Sequence, residues 1–449
     1  MLVTLTLAEI ARICEGELVG DDAPVNGVQT DTRANLQGSL FLALKGESFD
    51  GHDYLAEAIN QGAAGVLTQV ETSVKPAVKV ADTLTAYGKI ANYLRHQFTG
   101  KVIAITGSNG KTTVKDWLSQ CLSSQHKVLK TQANNNNQVG VPLTLCSLQN
   151  EHEVAIIEAG TSYKGEIPKL AKIIEPQIAV ITNASGSHLD GLGSLEGIAI
   201  EKGALLSGLS TDGVAVLNRD DPWFDYWFSL VVPKKCISFG FSPQADMFAS
   251  DIKLHKSGST CVIQYRLEKW PLALNVPGKH QIANAMAVLI CLLKSGFSME
   301  QGIRLLREPL HIAGRLEFVH TKQDFLLLND CYNASPTSVE AAIDVLSYQE
   351  ETTKWLVLGA LKELGANEHQ VHKALGEYAF QAGINRMICL GPVAAIAAGA
   401  FESLGGQATI CESHAEIITL LQHLGKDNAV LVKGARSSRM EKIIEKMII

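Results

Sequence analysis

The chain has 449 residues and a formal net charge of −7, because 46 Asp and Glu outnumber 39 Lys and Arg. With 19% charged and 46% hydrophobic residues, its composition is that of ordinary globular domains and excludes a disordered chain, a collagen-like repeat and a nucleic-acid-coating protein. At about 150 residues per domain, this length predicts three domains.

No membrane or secretion segment is predicted. The least polar stretch, residues 387–401, is interrupted by glycine and proline and is shorter than the roughly 18 apolar residues of a transmembrane helix. The first residues carry no basic region and no small-residue cleavage site. The nine cysteines include no Cys-x-x-Cys pair and are expected to be free and buried in a reducing compartment. We therefore expect a cytoplasmic monomer with no membrane span and no nucleic-acid partner.

Residues 1–82 are predicted to form a small α/β domain. Turn-rich segments such as 21–24 punctuate short apolar runs such as 40–44.

Residues 83–311 are predicted to form a central domain around a mostly parallel sheet. Short β-branched runs at 102–105, 154–157, 178–181 and 214–217 alternate with helical stretches, a pattern typical of strands buried on both faces. The segment 246–277 alternates polar and apolar residues and is predicted to form an antiparallel edge of the same sheet.

Residues 312–449 are predicted to form a Rossmann-like domain. Apolar runs at 355–358, 387–390 and 430–432 each end at or just before a glycine, as strands of an open sheet do. The predicted fold class is thus α/β with three domains: a small N-terminal α/β domain, a central P-loop-type domain and a C-terminal Rossmann-like domain.

The sharpest motif is the phosphate loop, residues 106–113, which reads Thr-Gly-Ser-Asn-Gly-Lys-Thr-Thr between a predicted strand and a predicted helix. Its amides are expected to enclose phosphate oxygens, with Lys111 reaching the β- and γ-phosphates and the Thr112 hydroxyl facing Mg²⁺. The strict motif has glycine where this chain has Ile105. An incidental glycine-rich turn is the alternative, but the strand and helix around the loop favour ATP or GTP binding.

Polar residues follow the strands next to this loop. Glu158 ends the run 154–157 and is the natural carboxylate ligand for a magnesium nucleotide. His188, Asp190 and Lys202 come after the next strand, and individually such residues are more often solvated turn or helix residues.

Taken in order, these residues resemble the Mur ligase family, whose members are ATP-dependent amide-forming ligases of bacterial peptidoglycan synthesis. The segments that carry the resemblance are the phosphate loop, 136–142, 158–160, 182–183, 188–190, Lys202, 278–284, 314–317 and 330–336. Together they cover essentially the whole chain.

Within the family, the chain resembles the branch that joins D-alanyl-D-alanine to UDP-N-acetylmuramoyl-tripeptide. The segments 31–33, 41–46 and 50–52 are similar to a UDP-sugar-binding N-terminal domain, and 332–336 and 359–365 with His372 are similar to that branch's C-terminal domain. The Asp-Asn-Pro-Arg signature of the tripeptide-forming branch is absent. Gln281 stands where family members usually have asparagine.

The resemblance implies that ATP phosphorylates the tripeptide carboxylate and that the dipeptide amine then expels phosphate from the acyl phosphate. It implies two Mg²⁺ ions, one held by Thr112 and Glu158 and another by His188 and a carbamylated Lys202. Arg315 would clamp the transferring phosphoryl group. The implied catalytic residues are Lys111, His188, Lys202 and Arg315.

The resemblance also implies two sets of contacts. ATP would be bound by Gly107, Ser108, Asn109, Gly110, Lys111, Thr112, Thr113, Asn137, His280, Asn284, Arg315 and Asp330. The UDP-tripeptide and the dipeptide would be bound by Thr32, Arg33, Lys45, Gly46, Asn136, Tyr332, Asn333 and Ser335. Because these residues come from both the central and the C-terminal domain, we expect hinge closure on substrate binding.

Several alternatives stay open. Asn136 and Asn137 form an Asn-rich turn that can be purely structural, Arg315 can form a surface ion pair with Glu317, and Lys433 and Arg436 lie either beside the dipeptide or on the open surface. The whole chain can also be another amide ligase of the superfamily, either tripeptide-forming or a folylpolyglutamate synthetase. A P-loop switch protein that hydrolyses nucleotide is the rival from another class.

Overall fold

The computed structural model describes residues 1–46, 49–231, 235–310 and 312–448. They form three α/β units in chain order, each built around its own main sheet. His311, the last residue of the predicted central domain, lies outside the described residues, and the three domain bounds stay predictions.

The first unit contains a five-stranded sheet and a separate strand pair. Its elements are β1 (Leu5–Thr6), α1 (Leu7–Cys14), β2 (Glu17–Val19), β3 (Pro24–Val25), β4 (Val28–Gln29), β5 (Leu40–Leu42), a 3₁₀ turn (Gly51–Tyr54), α2 (Leu55–Asn60), β6 (Gly65–Thr68) and β7 (Ala77–Lys79). The sheet order is β2-β7-β6-β5-β4, with β2 antiparallel to β7 and the other pairs parallel. β1 pairs with β3.

The second unit has a nine-stranded sheet. Its elements are α3 (Thr83–Gln97), β8 (Lys101–Thr106), α4 (Lys111–Leu122), β9 (Val128–Lys130), α5 (Gly140–Cys146), β10 (Val154–Glu158), α6 (Glu166–Ile174), β11 (Ile178–Ile181), α7 (Leu189–Leu192), α8 (Leu195–Gly203), a 3₁₀ turn (Ala204–Gly208), β12 (Val214–Asn218), α9 (Phe224–Ser229), β13 (Lys235–Gly240), β14 (Met247–His255), β15 (Gly258–Tyr265), β16 (Glu268–Leu274), α10 (Lys279–Lys294) and α11 (Met299–Leu306).

The order of this sheet is β16-β15-β14-β13-β12-β11-β8-β10-β9. From β9 to β14 all pairs are parallel, whereas β14, β15 and β16 are antiparallel. The predicted antiparallel edge is therefore confirmed. The inner strands β8, β10 and β11 are buried along almost their whole length because helices cover both faces of the sheet, which is why their sequences are continuous apolar runs.

The third unit has a six-stranded sheet. Its elements are β17 (Glu317–His320), β18 (Leu326–Asp330), α12 (Pro336–Ser347), β19 (Thr353–Gly359), a 3₁₀ turn (Gly365–Asn367), α13 (Glu368–Gln381), β20 (Arg386–Leu390), α14 (Gly391–Ser403), β21 (Gln407–Cys411), α15 (His414–Leu421), β22 (Asn428–Lys433), a 3₁₀ turn (Arg436–Ser438) and α16 (Glu441–Met447). The order is β17-β18-β22-β19-β20-β21, parallel except for β17. The predicted three-domain α/β fold class is confirmed.

All nine cysteines are free; Cys236 is half-buried and the others are buried. In the parts of the chain that the structure describes, no helix combines the length and apolar character that a membrane span requires.

A buried arginine on helix α3 forms hydrogen bonds with the C-terminus of α6. Arg95 Nε donates to the carbonyl of Ile174 and Arg95 Nη2 to that of Glu175, both at 2.9 Å. The last carbonyls of a helix have no partner within the helix, so Arg95 supplies the missing donors at the C-terminus of α6.

We expect Arg95→Ala to lower the free energy of unfolding by about 2–3 kcal/mol, because it leaves these carbonyls without donors. Arg95→Lys, which keeps the charge but not the forked donors, should lose less. The midpoint of urea denaturation measures both. Arg12→Ala is the matched control, because Arg12 is exposed on α1, and it should change stability by less than about 0.5 kcal/mol. If Arg95→Ala has the urea midpoint of the wild type, Arg95 does not stabilise the contact between α3 and α6.

Candidate active site

A cleft of about 670 Å³ opens where the central and C-terminal domains meet. Its walls come from the loops that follow β8, β9, β10 and β11 on one side and β18, β19 and β22 on the other. Ligands of open α/β sheets bind at the carboxyl ends of strands, and here two such edges face each other. The predicted site residues that line the cleft are Ser108, Asn109, Gly110, Lys111, Thr112, Asn136, Glu158, His188, Arg315, Tyr332, Asn333 and Ser335.

The phosphate loop connects β8 to α4, and its conformation requires glycine at two positions. Gly107 has φ +149° and Gly110 has φ +83°. A Cβ at Gly107 would lie 1.8 Å from Thr182 Oγ1, and one at Gly110 would lie 2.5 Å from Asn284 Oδ1. The loop therefore packs tightly and delivers the chain to the N-terminus of α4, where free amides favour an anion.

Lys111 is the first residue of α4 and folds back over the loop. Its Nζ donates to the carbonyl of Gly107 at 2.5 Å and to that of Ser108 at 3.1 Å. Burial lowers the pKa of Lys111, while Glu158 opposes this shift. The ammonium group thus lies inside the turn of the loop, where the motif predicts phosphate.

Glu158 ends β10 and is 2% exposed. Its carboxylate accepts hydrogen bonds from Asn136 Nδ2 at 2.9 Å and from Thr112 Oγ1 at 3.2 Å. Lys115 Nζ lies 3.4 Å from Glu158 Oε2. Sequence reasoning missed Lys115, although its spacing of three residues from Thr112 places both on one face of α4 and was a usable signal.

The hydroxyl of Thr112 and the carboxylate of Glu158 fit a magnesium nucleotide. Mg²⁺ in nucleotide sites is usually held by one or two protein oxygens, with phosphate and water supplying the rest. No group of three or more His, Cys, Asp or Glu side chains that could hold a metal occurs among the described residues.

His188 faces the cleft from the turn before α7. Its Nδ1 pairs with Glu363 Oε2 of the C-terminal domain and lies 3.4 Å from Ser162 Oγ. The hydrogen bond with His188 lowers the pKa of Glu363. Within the described residues Nε2 has no partner, so it is the nitrogen available to a ligand. Glu363 was missed because no local pattern links residues so far apart in sequence.

Lys202 lies on α8 and is 1% exposed, so the interpretation as a solvated helix lysine is wrong. Its ammonium has no hydrogen-bond or ion-pair partner in the part of the chain that the structure describes. Burial, reinforced by the positive charge of Lys111, moves the pKa of Lys202 well below its usual range. The helix is fixed by its neighbour Glu201, whose carboxylate accepts from the amides of Gly165 at 2.8 Å and Ile167 at 2.7 Å.

Arg315 faces the phosphate loop from the C-terminal domain. Its guanidinium lies 4.4 Å from the centre of the Tyr332 ring, and its buried Nε has no hydrogen-bond partner within the described residues. The alternative of an ion pair with Glu317 is wrong, because Glu317 accepts instead from Asn329 Nδ2 at 2.9 Å. Arg315 is therefore held by stacking, and none of its guanidinium nitrogens has a hydrogen-bond partner within the described residues.

Lys433 ends β22 and is 1% exposed, so the alternative that it lies on the open surface is wrong. Its Nζ donates to Asp330 Oδ2 at 2.5 Å and to the carbonyl of Asn333 at 3.1 Å. Arg436 is exposed and lines the cleft, with its backbone amide donating to Asn333 Oδ1 at 3.3 Å. The two residues therefore differ: Lys433 positions Asp330, and Arg436 can meet a ligand.

The structure does not place every predicted nucleotide contact on the cleft wall. Asn137 Oδ1 accepts from the amides of Val139 at 3.1 Å and Gly140 at 2.9 Å, as the alternative of an Asn-rich structural turn predicts. The predicted site residues of the central and C-terminal domains that do not line the cleft are Gly107, Thr113, Asn137, Lys202, His280, Asn284 and Asp330. Asn284 Nδ2 donates to Gln281 Oε1 at 3.1 Å. Burial lowers the pKa of His280 to about 4.

The predicted UDP-sugar residues lie on the first domain, away from the cleft wall. Thr32 and Arg33 follow β4, and Lys45 and Gly46 follow β5. Since β4 and β5 are parallel neighbours, both loops lie at the same edge of the sheet. Arg33 is paired with Asp31 at 2.6 Å and, like Lys45, is exposed to solvent.

Three family models match successive parts of the chain. "Mur ligase family, catalytic domain" matches residues 24–102, "Mur ligase middle domain" matches 105–292, and "Mur ligase, glutamate ligase domain" matches 314–436.

Similar proteins extend over the full length. The UDP-N-acetylmuramoyl-tripeptide–D-alanyl-D-alanine ligase of Escherichia coli (strain K12) is 35% identical over 450 residues, covering 99% of this chain and 98% of the relative. A crystal structure of MurF from Acinetobacter baumannii superposes with a TM-score of 0.92 at 30% identity, covering 99% of this chain and 98% of that one. The MurF ligase of Thermotoga maritima in complex with ADP gives a TM-score of 0.85 at 26% identity, with 94% and 96% covered.

Proposed function

The chain belongs to the Mur ligase family, and we propose that it is the MurF-type ligase that joins D-alanyl-D-alanine to UDP-N-acetylmuramoyl-tripeptide at the expense of ATP. The observation that carries this function is a cleft shared by two domains, in which the phosphate loop faces Arg315, Tyr332 and Arg436. The predicted resemblance to this family and branch is confirmed. The other amide-ligase branches and the P-loop switch are not favoured, because full-length relatives 33–35% identical share the name of the D-alanyl-D-alanine ligase.

The reaction needs two displacements at neighbouring atoms. An oxygen of the tripeptide carboxylate attacks the γ-phosphorus of ATP, and the bond to the β-phosphate oxygen breaks to release ADP. The dipeptide nitrogen then attacks the acyl carbon and loses a proton, and phosphate leaves with the oxygen that the carboxylate donated. Such transfers depend mainly on positioning and on neutralising charge.

The cleft supplies cationic and amide groups for both displacements. The phosphate-loop amides and Lys111 would hold the β- and γ-phosphates, and the guanidinium of Arg315 would meet the transferring phosphoryl group from the opposite wall. The positive field is local, so polyanionic substrates are compatible with a net charge of −7.

Magnesium bound at Thr112 and Glu158 would neutralise negative charge on the phosphates. The residues around this pair are arranged to keep the carboxylate in place. Asn136 donates to one oxygen of Glu158, and Lys115 lies beside the other. His188 Nε2 would serve a second ion, while Glu363 fixes the ring through Nδ1.

Lys202 is suited to carbamylation. A neutral amine adds to the carbon of CO₂ and releases a proton, which leaves an anionic carbamate on the lysine. Burial and the nearby charge of Lys111 favour the neutral amine in this protein, because they lower the pKa of Lys202. The carbamate would turn a buried amine into an oxygen ligand for the second ion.

Release of phosphate in the presence of ATP, UDP-N-acetylmuramoyl-tripeptide and D-alanyl-D-alanine tests the proposed function. We expect release to require both acceptor substrates and to match the pentapeptide product in amount. Phosphate release that is unchanged when either substrate is omitted would instead support a nucleotide-hydrolysing switch.

Arg436 is our candidate for binding the dipeptide carboxylate, because it is the exposed arginine on the C-terminal wall of the cleft. Arg436→Met should raise KM for D-alanyl-D-alanine about 10- to 100-fold and leave KM for the UDP-tripeptide within about twofold, since a charge-assisted hydrogen bond is lost from one substrate only. Steady-state kinetics with each substrate varied in turn measures both values.

Arg439→Met is the matched control, because Arg439 is exposed three residues away and does not line the cleft. Both KM values should stay near those of the wild type. Equal increases of both KM values in Arg436→Met would contradict the assignment.

A further inference from the structure

Side-chain hydrogen bonds connect Asn109 of the phosphate loop to the first turn of α12 in the C-terminal domain. Asn109 Nδ2 donates to Thr337 Oγ1 at 2.8 Å and to Ser185 Oγ at 3.0 Å. Ser335 Oγ donates to Asn109 Oδ1 at 2.7 Å. Both the oxygen and the nitrogen of the Asn109 side chain therefore form hydrogen bonds.

The main chain of Asn109 forms its own hydrogen bonds with residues of the central domain. Its amide donates to Asn183 Oδ1 at 3.0 Å, and its carbonyl accepts from Thr182 Oγ1 at 2.6 Å. Both partners follow β11 directly. The side chain of Asn109 thus extends from a fixed base toward the C-terminal domain.

In the part of the chain that the structure describes, other polar links between the two domains do not touch the phosphate loop, and they include hydrogen bonds from Thr337 Oγ1 to Ser185 Oγ at 3.2 Å and from Gln349 Nε2 to the carbonyl of Lys256 at 3.0 Å. Lys256 and Glu350 form an exposed ion pair, a type that contributes little to stability. His188 and Glu363 meet across the cleft without touching the loop. Among the described residues, the hydrogen bonds at Asn109 are the ones that join the phosphate loop to the C-terminal domain.

We propose that Ser335 and Thr337 are positioning residues whose hydroxyls recognise Asn109 and couple docking of the C-terminal domain to the conformation of the phosphate loop. Asn109 lies between the two glycines with positive φ, so its position fixes the course of the loop. Coupling between two binding events is reciprocal, so nucleotide on the loop favours the docked domain, and the docked domain favours nucleotide. Any effect on turnover rests on the proposed function, whereas the coupling itself does not.

A double-mutant cycle on nucleotide affinity tests this proposal. The variants are Thr337→Val, Asn109→Ala and the two combined, and the probe is the magnesium complex of the β,γ-imido analogue of ATP, titrated by calorimetry. Thr337 does not line the cleft, so it has no direct route to the nucleotide. We expect Thr337→Val to weaken binding about five- to tenfold in the wild-type background and less than about twofold in the Asn109→Ala background.

Thr337→Ser keeps the hydroxyl and should bind the analogue within about twofold of the wild type. If Thr337→Val does not fold, Thr337→Ala takes its place in the same cycle. Wild-type affinity in Thr337→Val, or the same loss with and without Asn109, would overturn the proposal. A wild-type chain that binds the analogue but ligates no dipeptide would contradict the proposed function and leave this coupling intact.

Discussion

Lys111→Met is expected to lower kcat/KM for ATP in the ligation reaction by about a thousandfold or more. Lys111 lies inside the turn of the phosphate loop, bonded to the carbonyls of Gly107 and Ser108. Methionine is similar in volume but removes the positive charge that would offset the charge of the phosphates during transfer. Single charged donors at such positions are worth at least a hundred- to a thousandfold in rate.

The measurement is phosphate release at saturating UDP-tripeptide and dipeptide with ATP varied. Lys127→Met is the matched control, because Lys127 is exposed and lies outside the cleft, and we expect it to stay within about twofold of the wild type. More than a tenth of the wild-type kcat/KM in Lys111→Met would show that the loop does not carry the phosphoryl transfer.

Lys202→Met is expected to lower kcat by about a hundred- to a thousandfold, although Lys202 does not line the cleft. The expected cause is loss of the carbamate, since the hydrophobic replacement suits a buried position and should leave the fold intact. Removal of CO₂ and bicarbonate should therefore slow the wild-type enzyme reversibly and have no effect on Lys202→Met.

Carbon-13 NMR of protein incubated with labelled bicarbonate detects the carbamate directly, and its signal should be absent from Lys202→Met. Lys172→Met on the exposed face of α6 is the control and should keep both the signal and the rate. A Lys202→Met variant that turns over at the wild-type rate would refute this role.

Much of the central domain was predictable because its inner strands are buried on both faces. The four predicted runs correspond to β8, β10, β11 and β12, and Glu158 lies at the end of β10 as expected. The predicted C-terminal runs correspond to β19, β20 and β22. Continuous apolar runs are a strong local signal, and the phosphate loop depends on residues that are adjacent in sequence.

Other strands gave no such signal. β9 has three residues at the edge of the central sheet, and β21 reads Gln-Ala-Thr-Ile-Cys at the edge of the C-terminal sheet, largely exposed. Neither has a continuous apolar run, because an edge strand does not need to be buried on both faces.

The tertiary links of the site could not be read from the sequence. Glu363 beside His188, Asp330 beside Lys433 and Ser335 beside Asn109 are each brought together by the meeting of distant strand ends. The sequence around Lys202 also does not indicate that this lysine is buried. Such pairings depend on how whole sheets pack, which local patterns do not encode.

Oxygen-18 in the tripeptide carboxylate gives the most direct test of ligation through an acyl phosphate. UDP-N-acetylmuramoyl-tripeptide labelled in both oxygens of the reacting carboxylate is incubated with the protein, ATP and D-alanyl-D-alanine, and the released phosphate is analysed by mass spectrometry. We expect one labelled oxygen in each phosphate, because the bridging oxygen leaves with phosphorus when the amine attacks. Phosphate that carries no label while ATP is consumed would contradict the reaction assigned to this cleft.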